Sequence, residues 1–166
     1  MILAGRAFRF GDDINTDYVI ASKYKAQNLR IEDAAAHLME DIRPGFAEQL
    51  RRGDLIVAGR NFGCGSSREA APRVIKAAGV GAVIAASFAR IFFRNCINIG
   101  LPVVVCDTEG IDEGDALEVD LSSGIVRDLT KGGVRTTAPL PRVMMNVIAD
   151  GGLAAHIRRH GGYKLD

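Results

Sequence analysis

The chain has almost no charge of either sign in excess. Its 21 Lys and Arg against 20 Asp and Glu leave a formal net charge of +1. That balance removes the electrostatic case for a nucleic-acid or anionic-membrane partner. No apolar run reaches the ~18 residues of a membrane span. The amino terminus lacks the basic start and apolar stretch of a secretory signal, so the cytoplasm is the expected location. Cysteine is scarce as well. Cys64, Cys96 and Cys106 are the three present, with no Cys-x-x-Cys spacing. An odd count in such a chain argues against a disulfide framework. The spacing supplies neither a zinc nor an iron–sulfur ligand set, and no metal site is expected on this chain. Cys96 and Cys106 read as small buried hydrophobes. Cys64 falls in a glycine-rich loop, where packing and proximity to a site both remain open. The Gly-x-x-x-x-Gly-Lys-Ser/Thr phosphate loop is absent, and so is the Gly-x-Ser-x-Gly elbow. None of His37, His156 and His160 stands in a catalytic motif, which argues against a single-chain serine hydrolase. These histidines read as surface or satisfied structural residues.

What is present is an ordinary globular chain of 166 residues, 48% hydrophobic and 25% charged. It suffices for one domain spanning residues 1–166 with a substantial core. Short all-apolar runs, Leu55–Ala58, Ala82–Ala85 and Leu101–Cys106, alternate with helical patterns at Pro72–Ala78 and Ser87–Asn98. Such strands imply parallel pairing with both faces covered, an α/β architecture. Ser87 is a candidate N-cap. Ile2 to Phe10 reads as a strand, Ile31–Met39 and Gly45–Arg51 as helices, and Ser22–Arg30 as polar and irregular. The last third is β-rich. Asp115–Leu121 and Gly124–Leu129 flank a hairpin signal, Val134–Ala138 adds a strand, and helices follow at Pro141–Ala149 and Leu153–His160.

The most informative segment is Asn61-Phe62-Gly63-Cys64-Gly65-Ser66-Ser67-Arg68-Glu69. Its glycines permit a sharp turn and a close backbone approach. Ser66 and Ser67 offer hydroxyls near a helix start, a setting suited to an anion. Arg68 adds a planar fork that matches a carboxylate. A second reading is equally available at this point: Ser66-x-x-Glu69 fits a capping box that needs no ligand. Pro72 places the regular helix from about that residue, leaving Gly63–Ala71 as a loop.

Three motifs in order carry a resemblance. Asp12-Asp13-Ile14-Asn15-Thr16-Asp17, then Gly65-Ser66-Ser67-Arg68-Glu69, then Ser87-Phe88-Ala89-Arg90-Ile91-Phe92 with Asn95, resemble the swivel domain of the aconitase superfamily. The likeness spans nearly the whole chain and is greatest to free-standing small subunits. That of 3-isopropylmalate dehydratase is foremost, with the homoaconitase and 2,3-dimethylmalate dehydratase small subunits as relatives. The resemblance implies a swivelling β/β/α domain and a two-chain hydro-lyase. A separate large subunit would hold a four-iron four-sulfur cluster on its own cysteines, with a small hydroxy di- or tricarboxylic acid between the chains. It implies Ser66 as the catalytic base, acting as an alkoxide. It implies Arg68, with Ser67, Gly65, Thr16 and Asp17, as the substrate-binding set, Thr16 and Asp17 in an orienting role. Arg90 is expected to be structural or an interface contact.

The resemblance also makes Ser22–Arg30 a specificity loop, with Tyr24, Lys25, Ala26 and Arg30 as its determinants. Ala26 stands where the homoaconitase form has an arginine that reaches an extra carboxylate. This favours 2-isopropylmalate, on the route to leucine, over dimethylmalate, with homoaconitate third. Lys25 replaces the usual leucine, and Arg30 is a further candidate for an acidic group. The competing reading of another class is a non-catalytic small-anion-binding module.

Overall fold

Apolar runs too short for helices build the centre of the sheet. In the computed structural model, which describes residues 1–26 and 29–163, Leu55–Ala58 (β2) and Ala82–Ala85 (β3) are strands buried at every position. They pair in parallel with each other, β3 with Val103–Val105 (β4), and β2 with the end of Ile2–Arg9 (β1). The rest of β1 pairs antiparallel with Ala116–Asp120 (β5). Ile125–Asp128 (β6) and Val134–Thr136 (β7) continue that antiparallel half. The 7-stranded order is β4-β3-β2-β1-β5-β6-β7, parallel on one side of β1 and antiparallel on the other.

The helices are Thr16–Val19 (α1), Ser22–Ala26 (α2), Ile31–Ala34 (α3), Phe46–Gln49 (α4), Ala70–Ala77 (α5), Arg90–Ile99 (α6), Arg142–Ala149 (α7) and Leu153–His160 (α8). None of the described helices is long and apolar enough to cross a membrane. Alternation along the strands sorts the core into two clusters. Phe8, Ile56, Ala58, Val83 and Ala85 pack with Val74 and Ile75 of α5, Phe92 and Cys96 of α6 and Val147 of α7. Ala7, Leu55, Val57, Ala82 and Ile84 pack with Leu117, Val119 and Val126 of the antiparallel half. The sheet thus curls so that its second half covers the back of its first. That is why the central strands are apolar at every position rather than at alternate ones.

Four local expectations are corrected. The helix expected from Ser87 starts at Arg90, because the Ser87 hydroxyl accepts the Asn61 N–H at 2.8 Å instead of capping a helix. The Ser66–Glu69 capping box does not form. Glu69 itself is the N-cap of α5, without a side-chain bond, and Pro72 lies in the tolerated first turn. The helix expected over Ile31–Met39 breaks after α3 into a 3-10 turn at Ala35–His37, and Met39 takes a left-handed φ of 57°. Ser22–Ala26, read as irregular, is helical.

Candidate active site

Two segments far apart in sequence meet at the ends of β1 and β2. The chain leaving β1 reaches Asn15, whose side chain caps α1 by accepting the Asp17 N–H at 2.9 Å. The chain leaving β2 enters the glycine-rich loop. Backbone bonds stitch the two together: Gly63 N–H to Ile14 C=O at 2.7 Å and Thr16 N–H to Cys64 C=O at 2.9 Å. The glycines are sterically required. A Cβ on Gly63 would lie 2.1 Å from the Phe92 ring, and one on Gly65 would lie 2.4 Å from Asn15 Oδ1. Both also hold positive φ, 78° and 92°.

This stitching places Thr16 beneath the loop. Its side chain is buried, and its hydroxyl donates to the Ser66 carbonyl at 3.1 Å. The same hydroxyl lies 3.4 Å from Ser66 Oγ. Ser66 and Ser67 themselves are exposed. Arg68 turns back toward α1 and pairs with the Asp17 carboxylate. The Ser22 hydroxyl closes a triangle, donating to Asp17 Oδ1 at 2.8 Å and accepting from Arg68 Nη2 at 2.9 Å. Asp17 is held below the usual carboxylate range, first by the Ser22 hydrogen bond and then by the Arg68 guanidinium, with partial burial opposing.

The loop divides two clefts. One, of about 760 Å³, is lined by Ser66, Ser67, Arg68 and Glu69 of the loop and by Ile20, Tyr24, Leu29 and Ile31. The second, of about 310 Å³, lies between the loop and the start of α6, which brings in Arg90 and Asn95. A polar, cationic edge combined with an apolar wall is a receptacle for a carboxylic acid with a hydrocarbon part.

The expected site residues Thr16, Asp17, Gly65, Ser66, Ser67 and Arg68 are therefore neighbours. Of the specificity loop, Tyr24 lines the larger cleft. Lys25 and Ala26 belong to the helical backbone of α2, and their side chains lie outside the described residues, as do residues 27 and 28. Arg30 is engaged elsewhere, forking onto Asp33 at 3.0 and 3.3 Å on the exposed surface. The sequence reading passed over Ser22 as a site group, and over Glu40 altogether. Glu40 accepts from the Tyr24 hydroxyl and pairs with Lys23 at 2.9 Å and His37 at 2.7 Å. No motif marks either residue; only the i-to-i+5 return of Ser22 toward Asp17 could have been sought.

The histidines are satisfied groups. His37 stacks on Tyr24 and bonds Glu40. His156, fully buried, and His160 both face Asp150 Oδ2, at 2.7 and 2.9 Å, and Arg159 takes the other carboxylate oxygen. The thiols do not converge. Cys64 is partly exposed, and burial pushes the thiols of Cys96 and Cys106 up, the latter to about 11, away from the thiolate a metal needs. These residues do not fit an iron–sulfur cluster.

The chain is similar to known proteins over nearly its full length. The aconitase C-terminal domain family matches residues 19–108. The 3-isopropylmalate dehydratase small subunit 2 of Archaeoglobus fulgidus is 51% identical over 165 residues, covering 99% of this chain and 100% of that one. The methanogen homoaconitase small subunit of Methanothermobacter thermautotrophicus is 51% identical over 155 residues, covering 93% and 90%. The crystal structure of 3-isopropylmalate dehydratase from Methanocaldococcus jannaschii superposes with a TM-score of 0.91 at 40% identity, covering 97% of this chain and 96% of that one. With the swivel-type sheet, the stitched Thr-Asp and Gly-Ser-Ser-Arg segments and this breadth of similarity together, the chain belongs to the aconitase C-terminal domain family, among its free-standing dehydratase small subunits.

Proposed function

We propose that this chain is the small subunit of a two-chain hydro-lyase that isomerises 2-isopropylmalate to 3-isopropylmalate, in leucine biosynthesis, by dehydration and rehydration. The observation that carries the reading is the larger cleft. Arg68 and the two serines line it together with the apolar Ile20, Leu29, Ile31 and the Tyr24 ring. A malate skeleton bearing an isopropyl group matches both kinds of lining. The homoaconitase small subunit is 51% identical, as is the Archaeoglobus fulgidus isopropylmalate dehydratase small subunit 2, so identity alone does not choose between substrates. The apolar wall favours the alkyl one.

In this reading Arg68 binds a substrate carboxylate. Its guanidinium has five N–H donors in a fixed fork, and Asp17 and Ser22 occupy part of that set. Ser66 takes the proton from carbon. An alkoxide cannot persist on an exposed serine in water, so the reaction requires a second chain to cover Ser66 and exclude solvent. Arg68 supplies positive charge beside the loop, and Ser66 Oγ lies 3.4 Å from the buried Thr16 hydroxyl, whose own proton goes to the Ser66 carbonyl. When held by the large subunit, a four-iron four-sulfur cluster supplies Lewis acidity at the departing hydroxyl. This chain contributes the base, the carboxylate fork and the alkyl wall.

The test is anaerobic reconstitution with the cluster-bearing large subunit from the same genome. Isopropylmalate, dimethylmalate and homoaconitate are assayed side by side. Turnover that needs both chains and prefers isopropylmalate is expected. Binding of small anions by the isolated chain, with no turnover of any acid by the pair, would replace the enzyme with an anion-binding module.

A further inference from the structure

One carboxylate beside the cleft has no part in the chemistry above. Glu40, in the turn after α3, gathers three partners at once. The Tyr24 hydroxyl donates to it, His37 Nδ1 lies 2.7 Å from Oε2, and Lys23 Nζ lies 2.9 Å from Oε1. The Tyr24 ring is further fixed between cation and imidazole. His37 stacks on it with centroids 4.1 Å apart, and the Lys23 ammonium sits 4.9 Å from its centroid. The grip is strong in both directions: hydrogen bonds from Tyr24, Lys23 and His37 hold the Glu40 carboxyl down to about 2, and Glu40 pushes Lys23 upward.

Tyr24 also lines the larger cleft, as does Arg68. A tyrosine in such a wall ordinarily offers a hydroxyl donor to an acid. Here the hydroxyl is turned onto Glu40, and the ring presents carbon beside Ile20, Leu29 and Ile31. The ammonium and imidazole nearest to that ring are bonded to the same carboxylate, and Asp41 adds a second acid to the ammonium at 3.6 Å. We infer that Glu40 is a specificity-setting positioning residue: by engaging the donors of Tyr24, Lys23 and His37 it keeps this wall of the cleft apolar and selects an alkyl substituent over an additional carboxylate. The inference rests on the dehydratase reading above and adds a determinant outside the loop that bears the expected specificity residues.

The experiment uses the reconstituted two-chain enzyme, with isopropylmalate as the alkyl substrate and homoaconitate as the one bearing an extra carboxylate. Glu40→Ala, which removes the acceptor altogether, should raise the homoaconitate-to-isopropylmalate ratio of kcat/KM by about tenfold, the scale of one freed donor for a carboxylate. Adding Tyr24→Phe to the same chain should return the ratio part of the way, since the phenol is lost while Lys23 and His37 remain. A merely structural role for Glu40 predicts the opposite, because the second substitution would add to the damage. In parallel, ultraviolet titration of the tyrosines, with Tyr24→Phe identifying the relevant one, should show the Tyr24 phenol ionising more readily in Glu40→Ala. An unchanged selectivity ratio, a shift that Tyr24→Phe does not reduce, or an unaltered phenol titration each overturns the inference. If the unmutated pair turns over neither acid, it is the dehydratase reading that falls, and the inference with it.

Discussion

Arg68 and Asp17, 51 positions apart in the chain, form an ion pair inside the candidate site, with Ser22 bonded to both. The pair aims a guanidinium at the cleft before any substrate arrives. Ordering a free arginine on binding costs about 2 kcal/mol of rotamer entropy. In the proposed enzyme, where Arg68 binds the substrate carboxylate, Asp17 takes that cost at folding rather than at binding.

Ser66→Ala removes the proposed base and nothing that holds the loop, because Thr16 bonds the Ser66 backbone carbonyl rather than relying on its side chain. Turnover by the reconstituted pair should fall by about a thousandfold, within the usual range for loss of a single acid–base group. Subunit association, followed by gel filtration, should be unchanged. Ordinary turnover by this variant removes Ser66 from the mechanism.

Arg68→Lys keeps the charge and loses the fork. An ammonium cannot serve Asp17, Ser22 and a substrate carboxylate together in one plane. KM should rise by about tenfold or more, with a smaller change in kcat. A variant whose KM stays put would make Arg68 a structural residue only.

Gly65→Ala tests the stitching of the loop. The new methyl would stand 2.4 Å from Asn15 Oδ1, the atom that caps α1, in a backbone of φ 92°. Loss of the cap and the left-handed strain together should cost about 2 kcal/mol in chemical unfolding. Activity should drop further than stability, because the displaced cap carries Asp17. Equal stability and activity would mean that the loop can relax without Asn15.

Glu40 sets an acid limit. Its carboxyl is depressed from an ordinary 4.5 to about 2. A depressed carboxyl contributes stability that is complete above the unfolded value and is lost as the pH falls through the folded one. Thermal stability of the native chain should therefore decline between pH 4.5 and about 2, and Glu40→Gln should flatten that part of the curve. Differential scanning of the two proteins across this range decides it; parallel curves would show that Glu40 is not held as described.

Much of the architecture was legible because the central strands are buried on both faces. Leu55–Ala58 and Ala82–Ala85 are apolar without interruption, and no exposed helix reads that way. The hairpin at Ser122–Gly124 announced itself by turn chemistry. What failed were the caps. A serine side chain can bond whichever N–H folding brings near, and Ser87 went to Asn61, a partner on another segment. Five helical residues at Ser22–Ala26 are too few to show a period. Within the site, the motifs gave the residue types, and Thr16, Asp17, Ser66 and Arg68 do lie together. Their pairing was not legible, because an ion pair across 51 positions leaves no local pattern. Glu40 was silent for the same reason: its partners come from α2 and the turn after α3, and nothing in spacing distinguishes it from an ordinary surface acid.

The two backbone bonds that join Ile14 to Gly63 and Thr16 to Cys64 also have a consequence in time. They tie each half of the site to the exit of a central strand, so neither half can fray without breaking the other. Motions that would misplace Asp17 or the base of the loop belong to the opening of the sheet itself, which is rare and slow. Ser66 and Ser67 lie beyond the last of these bonds and are exposed, with the Ser66 carbonyl held by the Thr16 hydroxyl. The chain thereby tethers its two segments unequally: backbone bonds to the exits of central strands fix Asp17 and the base of the loop, and a side-chain hydroxyl fixes Ser66.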